Sequence, residues 1–318
     1  MFHFMGADMD ALPYLLLDVF TDRPYTGNPL AVVPFPKVPL STEQMQAIAG
    51  EFNLSETVFI FPPHKSGHTA SLRIFTPTQE LPFAGHPTIG AAVALGWLSE
   101  RRQCHLERGG RIIFEELIGP VHVQMKIQSE ELGHATLETA QLPEPSPISI
   151  TKEDLAATLS IEAQDLIWDD HCQPAAWSCG VPFLFVPLWS RTAVDQARIN
   201  TGVWETTLKA SGAPSVFVFA FDPMNKNHHV YGRMFGPEKG IVEDPATGSA
   251  AAAFAGFLFG REKHAHDSMH WTVEQGYAMG RPSLLNIEVH CENSQLKSVH
   301  VGGQAVLIGE GSLRKLPN

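Results

Sequence analysis

The feature that most constrains this chain is an echo within it. Residues 71–98 read SLRIFTPTQELPFAGHPTIGAAVALGWL, and residues 231–258 read YGRMFGPEKGIVEDPATGSAAAAFAGFL. At a fixed offset of 160 with no gaps, Arg73 falls on Arg233, Phe75 on Phe235 and Pro77 on Pro237. Further along, Ala91 and Ala92 fall on Ala251 and Ala252, Gly96 on Gly256 and Leu98 on Leu258. Both copies run from a strand ending in R-x-F-x-P, through a turn, into a helix of small residues. A single repeat at so long a period is not a solenoid. It predicts an α+β protein of two domains of similar fold, each with one central helix.

The rest of the chain fits that frame. Its 318 residues, 24 prolines and 26 glycines suit a strand-rich protein with many turns. Short apolar, β-branched runs predict strands at Tyr14–Phe20, Leu30–Phe35, Thr57–Phe61, Ser71–Phe75, Ile112–Glu116 and Val121–Ile127. They recur at Phe183–Leu188, Ser215–Phe221, His229–Phe235, Trp271–Tyr277, Leu285–His290 and Gln304–Gly309. Helices are expected at Thr42–Phe52, Pro87–Leu98, Lys152–Leu159, Asp195–Ile199 and Thr247–Phe259, the first opened by a capping box of Ser41 and Gln44. The proline-rich segment QLPEPSPISI, residues 141–150, is the expected linker.

Composition excludes several roles. A net charge of -12 argues against nucleic-acid or anionic-membrane partners. No apolar run reaches 18 residues, and the N-terminal MFHFMGADMDALP lacks a basic region, so neither a membrane span nor a secretory signal is expected. Cys104, Cys172, Cys179 and Cys291 have no CxxC spacing, which points to a reducing, cytoplasmic setting, with Cys179 a packing residue. His264, His266 and His270 have the makings of a metal site but read more simply as a solvated loop, so no metal is expected. GxSxG, Walker and GxGxxG motifs are absent.

Chemistry concentrates at three places. The two helix starts, AGHPTIGAA and DPATGSAAA, offer unpaired backbone N–H groups and a positive dipole end, suited to a carboxylate or phosphate. Their simpler reading is ordinary capping, with Pro87 near the first position and Thr247 or Ser249 as cap. Glu56 in FNLSETVFI enters an apolar strand, where a carboxylate is either exposed at the turn or poised for proton transfer. His86 and Asp244 flank the helix starts, as substrate contacts or as caps.

Together, LDVFTDRPYTGNPLAVV (17–33), FNLSETVFI (52–60), LRIFTPTQELPFAGHPTIGAA (72–92) and RMFGPEKGIVEDPATGSAAA (233–252) resemble the PhzF-like family of phenazine-biosynthesis and related proteins. The resemblance implies the diaminopimelate-epimerase-like fold, each domain a curved, mostly antiparallel sheet or barrel around a central helix, with domains at 11–135 and 145–302, a C-terminal strand at about 303–316 crossing back to the first domain, and an active site between them. It also implies cofactor-free chemistry and a homodimer. The related epimerases place a cysteine at each helix start. The matching positions here are Ala84 and Thr247, which disfavours two-thiol racemisation.

The family pattern keeps a glutamate, a histidine and an aspartate, matched by Glu56, His86 and Asp244, with Ser249 at the second helix start and Asn28 of GNP as a further contact. The implied reaction is an isomerisation of a small carboxylate substrate. Glu56 shuttles a proton at carbon, His86 and Asp244 hold a neighbouring polar group, and Gly85, Thr247, Gly248 and Ser249 bind the carboxylate. In the phenazine case the substrate is trans-2,3-dihydro-3-hydroxyanthranilate. An amino-acid-type racemase or other small-acid isomerase, and a catalytically silent binding protein on the same fold, are the alternatives.

Overall fold

The computed structural model describes residues 11–101, 106, 110–170, 172–261 and 267–317. The chain divides into two units, one of residues 1–140 with 304–318, the other of residues 141–303.

In the first unit, strands β1 (Leu12–Val19), β2 (Asn28–Pro34), β3 (Glu56–Phe61), β4 (Ala70–Phe75), β5 (Glu80–Leu81), β6 (Arg111–Glu116), β7 (Gly119–Ile127) and β8 (Leu132–Glu138) surround one long helix. That helix, α2 (Gly85–Glu100), follows a shorter α1 (Thr42–Phe52). Eight strands close a ring: β1 pairs with β2, β2 with β3 in parallel, β3 with β4, β4 with β6 in parallel, β6 with β7 and β7 with β8. The last strand of the chain, β17 (Gln295–Leu313), pairs with β8 and runs antiparallel to β1, so its second half closes the barrel.

Helix α2 is buried from Gly85 to Leu98 and has no polar face, as its position inside the ring demands. Its small residues let strands approach closely. A Cβ on Gly90 would sit 2.3 Å from Leu30 of β2. The outer face of β1–β4 is covered by α1, where Met45, Ile48 and Ala49 pack with Leu12, Val33, Phe59 and Phe75. Covering on both faces explains why these strands are apolar without alternation.

The second unit holds β9 (Glu144–Ser146), β10 (Ala175–Ser178), β11 (Pro182–Pro187), β12 (Ser215–Ala220), β13 (Val230–Gly236), β14 (Ile241–Asp244), β15 (Ser268–Gln275) and β16 (Ser283–Glu292). Its helices are α3 (Lys152–Leu159), α4 (Arg191–Gln196), α5 (Thr201–Thr207) and the central α6 (Gly248–Phe259). Read along the sheet from β9 to the first half of β17, the pairings run antiparallel, antiparallel, parallel, antiparallel, parallel, antiparallel, antiparallel. The first unit, read from β17 to β8, gives the same series. The echo in the sequence is therefore a repeated fold.

Alanines on α6 leave room for aromatic rings. Phe254 stacks on Phe185 with centroids 4.9 Å apart and meets Phe217 and Phe219 edgewise or tilted. The opposite face of the sheet is covered by α3, α4 and α5 through Leu155, Leu159, Val194 and Trp204.

Particular pairs also repeat. Arg73 grips Glu80 through Nε and Nη2, and Arg233 grips Glu243 in the same two-pronged way. Glu115 accepts the backbone N–H groups of His64 and Lys65 and meets Nδ1 of His64 and His68, tying down the β3–β4 connection. Glu274 does the same for the β12–β13 connection, accepting from the backbone of Met224 and Asn225 and meeting His228 Nδ1. Those backbone and imidazole bonds hold the Glu115 carboxyl down at about 2.

The structure corrects four expectations. The 160-residue offset slips at the helix starts. Ile74 pairs with Leu81, but Met234 pairs with Asp244, because the second unit inserts a one-turn 3-10 helix, Pro237–Lys239. Counted from their starts, α2 and α6 stand 163 residues apart, and His86 and Ser249 are each the second helical residue. The expected linker is partly ordered, since Glu144–Ser146 pairs with Ala176–Ser178. The helix expected at Asp195–Ile199 lies earlier, at Arg191–Gln196, because Ser190 caps it by accepting from Ala193 N. Helix α5 and strands β5, β8, β9, β10 and β14 lie outside the sequence expectations.

Candidate active site

In the first unit, register places Glu56. It opens β3 opposite Leu30 of β2, and Leu30 faces helix α2 at Gly90. Directly paired residues share a sheet face, as do alternate residues along one strand. Glu56 therefore points to the helix side, together with Asn28, two residues before Leu30 and fully buried. There Glu56 Oε2 lies 3.1 Å from Nδ1 of His86, with the two side chains 12% and 4% exposed. The pair is brought together by a strand start and a helix start some thirty residues apart in sequence.

Burial pushes the His86 imidazole down to about 3, so it is neutral at physiological pH. A neutral imidazole carries one N–H. Facing an ionised Glu56, it places that hydrogen on Nδ1 and presents a lone pair at Nε2. A Glu56 protonated on its other oxygen still accepts that hydrogen, so the imidazole keeps the same tautomer. Nε2 is itself buried and has no hydrogen-bond partner. Nε2 is therefore the atom of His86 left to meet a ligand.

The start of α2 is open. Its N-cap position is Ala84, which has no side-chain oxygen, and no side chain caps it. Pro87 is the third helical residue, so the free donors of the turn are the N–H groups of Gly85 and His86.

In the second unit the corresponding turn is also uncapped. Thr247 occupies the N-cap position, but its hydroxyl donates to Asp244 Oδ2 at 2.5 Å. Asp244 is the buried last residue of β14. Gly248 opens α6 and Ser249, partly exposed, follows it. Gln275, fully buried at the end of β15, was missed at the level of sequence. Its amide donates to the Asp244 carbonyl and the Thr247 hydroxyl and accepts from Thr247 N, fixing the turn.

The structure thus brings Glu56 and His86 into contact, sets Asn28 on the same face, and joins Asp244 to Thr247. Ala84 and Thr247 put no thiol at either helix start, and Cys172, Cys179 and Cys291 are buried in the second unit. Cys179 Sγ donates to the Gln141 carbonyl, as a packing residue does. No group of three metal-ligating side chains is assembled among the described residues. His264 and His266 lie outside them, as does Cys104. No helix of the described residues is long and apolar enough to cross a membrane.

The family model described as phenazine biosynthesis-like protein matches residues 17–311. The chain belongs to that family. Among its members, an uncharacterized isomerase of Mesorhizobium japonicum is 38% identical over 308 residues, covering 96% of this chain and 99% of the relative. The trans-2,3-dihydro-3-hydroxyanthranilate isomerase of Pseudomonas chlororaphis is 32% identical over 303 residues, covering 94% and 98%. The crystal structure of the PhzF-family phenazine biosynthesis protein of Bacillus anthracis is 25% identical, with a TM-score of 0.84 over 96% of this chain and 99% of that one. The phenazine biosynthesis-like chain described here is an isomerase, and its fold is the two-domain epimerase-like fold.

Proposed function

We propose that this isomerase moves a proton between carbon atoms of a small carboxylate substrate, without a cofactor, in the manner of trans-2,3-dihydro-3-hydroxyanthranilate isomerase. The observation that carries the reading is the contact between Glu56 and His86 beside the uncapped start of α2. The Glu56 carboxylate takes a proton from carbon. The C–H electron pair moves into the conjugated system, shifting the double bond, and Glu56 returns the proton to another carbon of the same molecule. Atoms and charge balance with no external oxidant or reductant. With its single hydrogen on Nδ1 toward Glu56, His86 accepts at Nε2 and holds a substrate O–H or N–H while Glu56 moves the proton.

The substrate carboxylate takes the N–H groups of Gly85 and His86, which no side chain satisfies. Asn28, Asp244, Thr247, Gly248 and Ser249 are proposed as further substrate-binding residues, as the family pattern implies. The relatives named for dihydrohydroxyanthranilate isomerisation support the reaction class. Amino-acid racemisation by paired thiols has no support, since neither helix start offers a cysteine. A cytoplasmic homodimer completes the proposal, and sedimentation velocity tests the oligomeric state.

The deciding experiment is Glu56→Gln in heavy water with trans-2,3-dihydro-3-hydroxyanthranilate. The wild type incorporates solvent deuterium at carbon, and the variant loses at least roughly 10²-fold in exchange while keeping its fold. Full exchange by the variant ends the assignment. If even the wild type incorporates none, a screen of small amino and hydroxy acids follows.

A further inference from the structure

The proposed chemistry makes no use of a buried carboxyl at the end of β6. Glu116, the last residue of β6, is 8% exposed and lies against the first turn of α2. Its Oε1 is 2.7 Å from Thr88 Oγ1, and Thr88 Oγ1 is also 2.8 Å from the carbonyl of Ala84. Its other oxygen, Oε2, is buried without a partner.

Three groups and one hydroxyl hydrogen leave little choice. The Ala84 carbonyl only accepts, and Thr88 has a single hydrogen to give. If Thr88 gives it to an ionised Glu116, its own oxygen and the Ala84 oxygen meet as two lone pairs at 2.8 Å. A carboxylate would also leave charge on a buried, unpartnered Oε2, at high cost. A protonated Glu116 removes both conflicts: it donates to Thr88, and Thr88 donates to Ala84. Burial raises this carboxyl to about 8, in the same direction.

The second unit supplies an independent comparison. Ser71 pairs with Glu115 across β4 and β6, and Tyr231 pairs with Glu274 across β13 and β15. Glu116 and Gln275 are therefore equivalent strand-end residues, and each reaches the first turn of its central helix. Gln275 does so with a side chain that is always neutral.

The charges around Glu116 are accounted for. Beside it on β6, Glu115 is engaged by His64, Lys65 and His68. Across β7 its partner is Gly119, and His122 and Lys126 of that strand are exposed. On β4, Arg73 is held by Glu80. On α2, His86 is buried and Glu100 stands exposed at the far end.

We propose that Glu116 is a positioning residue, required in its protonated form, which holds Thr88 and the Ala84 carbonyl and so fixes the turn of α2 that carries His86. Loss of its proton releases that turn. The inference rests on the assignment of His86 to the site, and the test separates the two.

Exchange into trans-2,3-dihydro-3-hydroxyanthranilate is followed from pH 6 to 9.5 in the wild type and in Glu116→Gln. The wild-type rate falls above pH about 8, toward tenfold per pH unit for one ionisation. The variant stays within about threefold of the wild type at pH 7 and loses that alkaline limb. An unchanged limb in Glu116→Gln overturns the proposal. In parallel, carbon-13 NMR of glutamate carboxyls in the wild-type protein shows one titrating near pH 8, and a Glu116 carboxyl titrating near 4.5 overturns it. That measurement needs no activity and stands if Glu116→Gln does not fold. Failure of the catalytic reading appears instead as full exchange by Glu56→Gln, whatever Glu116 does.

Discussion

At the scale of single residues, two buried groups give the protein opposite responses to pH. The unfolded His86 has an ordinary value of 6.5, and burial lowers it to about 3 in the fold. As pH falls from 6.5 toward 3 the unfolded chain takes up a proton that the folded chain refuses, so stability is lost on the acid side. Glu116 moves the other way, from 4.5 to about 8. Its contribution is fully present below 4.5 and is lost as pH rises through 8. His86→Gln is expected to flatten the fall in urea midpoint between pH 7 and 5 by up to one proton. A slope equal to that of the wild type would show that His86 is charged in the fold. Glu56 and His86 were legible in sequence because each sits in a distinctive motif. Glu116 and Gln275 were not, because a polar residue closing an apolar strand looks like ordinary edge chemistry. The signal lies in the match of FEE at 114–116 with VEQ at 273–275, at an offset of 159 and not 160.

At the scale of elements, the connection between β12 and β13 is held by a single carboxylate. Glu274 is completely buried and makes two backbone bonds and one imidazole bond to it. Glu274→Ala leaves those donors unmatched and should cost about 3 kcal/mol. Amide exchange is expected to rise in residues 222–229 while α6 stays protected. Unchanged protection there would show that Glu274 does not hold the connection. Phe254→Ala, which empties the centre of the aromatic cluster around α6, should cost about 3–5 kcal/mol in chemical denaturation. Long apolar strands and alanine-rich helices were readable because their composition admits one role. Strands β5, β9, β10 and β14 span two to four residues, too few for a period to show. Helix α4 was misplaced because its six residues, Arg191–Gln196, are too few for a helical period to mark Ser190 as their cap.

At the scale of the whole molecule, duplication was visible in sequence, but the crossing of β17 was not. Nothing in the periodicity of residues 295–313 says that one strand begins against β16 and ends against β1. That expectation came from the family resemblance alone. The strand makes a sharp prediction. A chain ending at Gly303 keeps every residue of the second unit but strips β1 and β8 of a partner. Near-ultraviolet circular dichroism and limited proteolysis should show the first unit unfolded and the second protected. A protected first unit would mean that its ring holds without closure.

The same strand sets an order of events during synthesis. The first unit leaves the ribosome as a sheet with two open edges, and the strand that joins them follows roughly 160 residues later. At about 5–20 residues per second, the interval is on the order of 10–30 s. Throughout that time, hydrogen-bonding edges beside apolar strands are available to any neighbouring chain. The second unit, complete except for its last strand, folds while the first one waits. Expression at lower temperature, or with more chaperone, is therefore expected to raise soluble yield by protecting an N-terminal half that cannot finish folding until the chain is nearly complete.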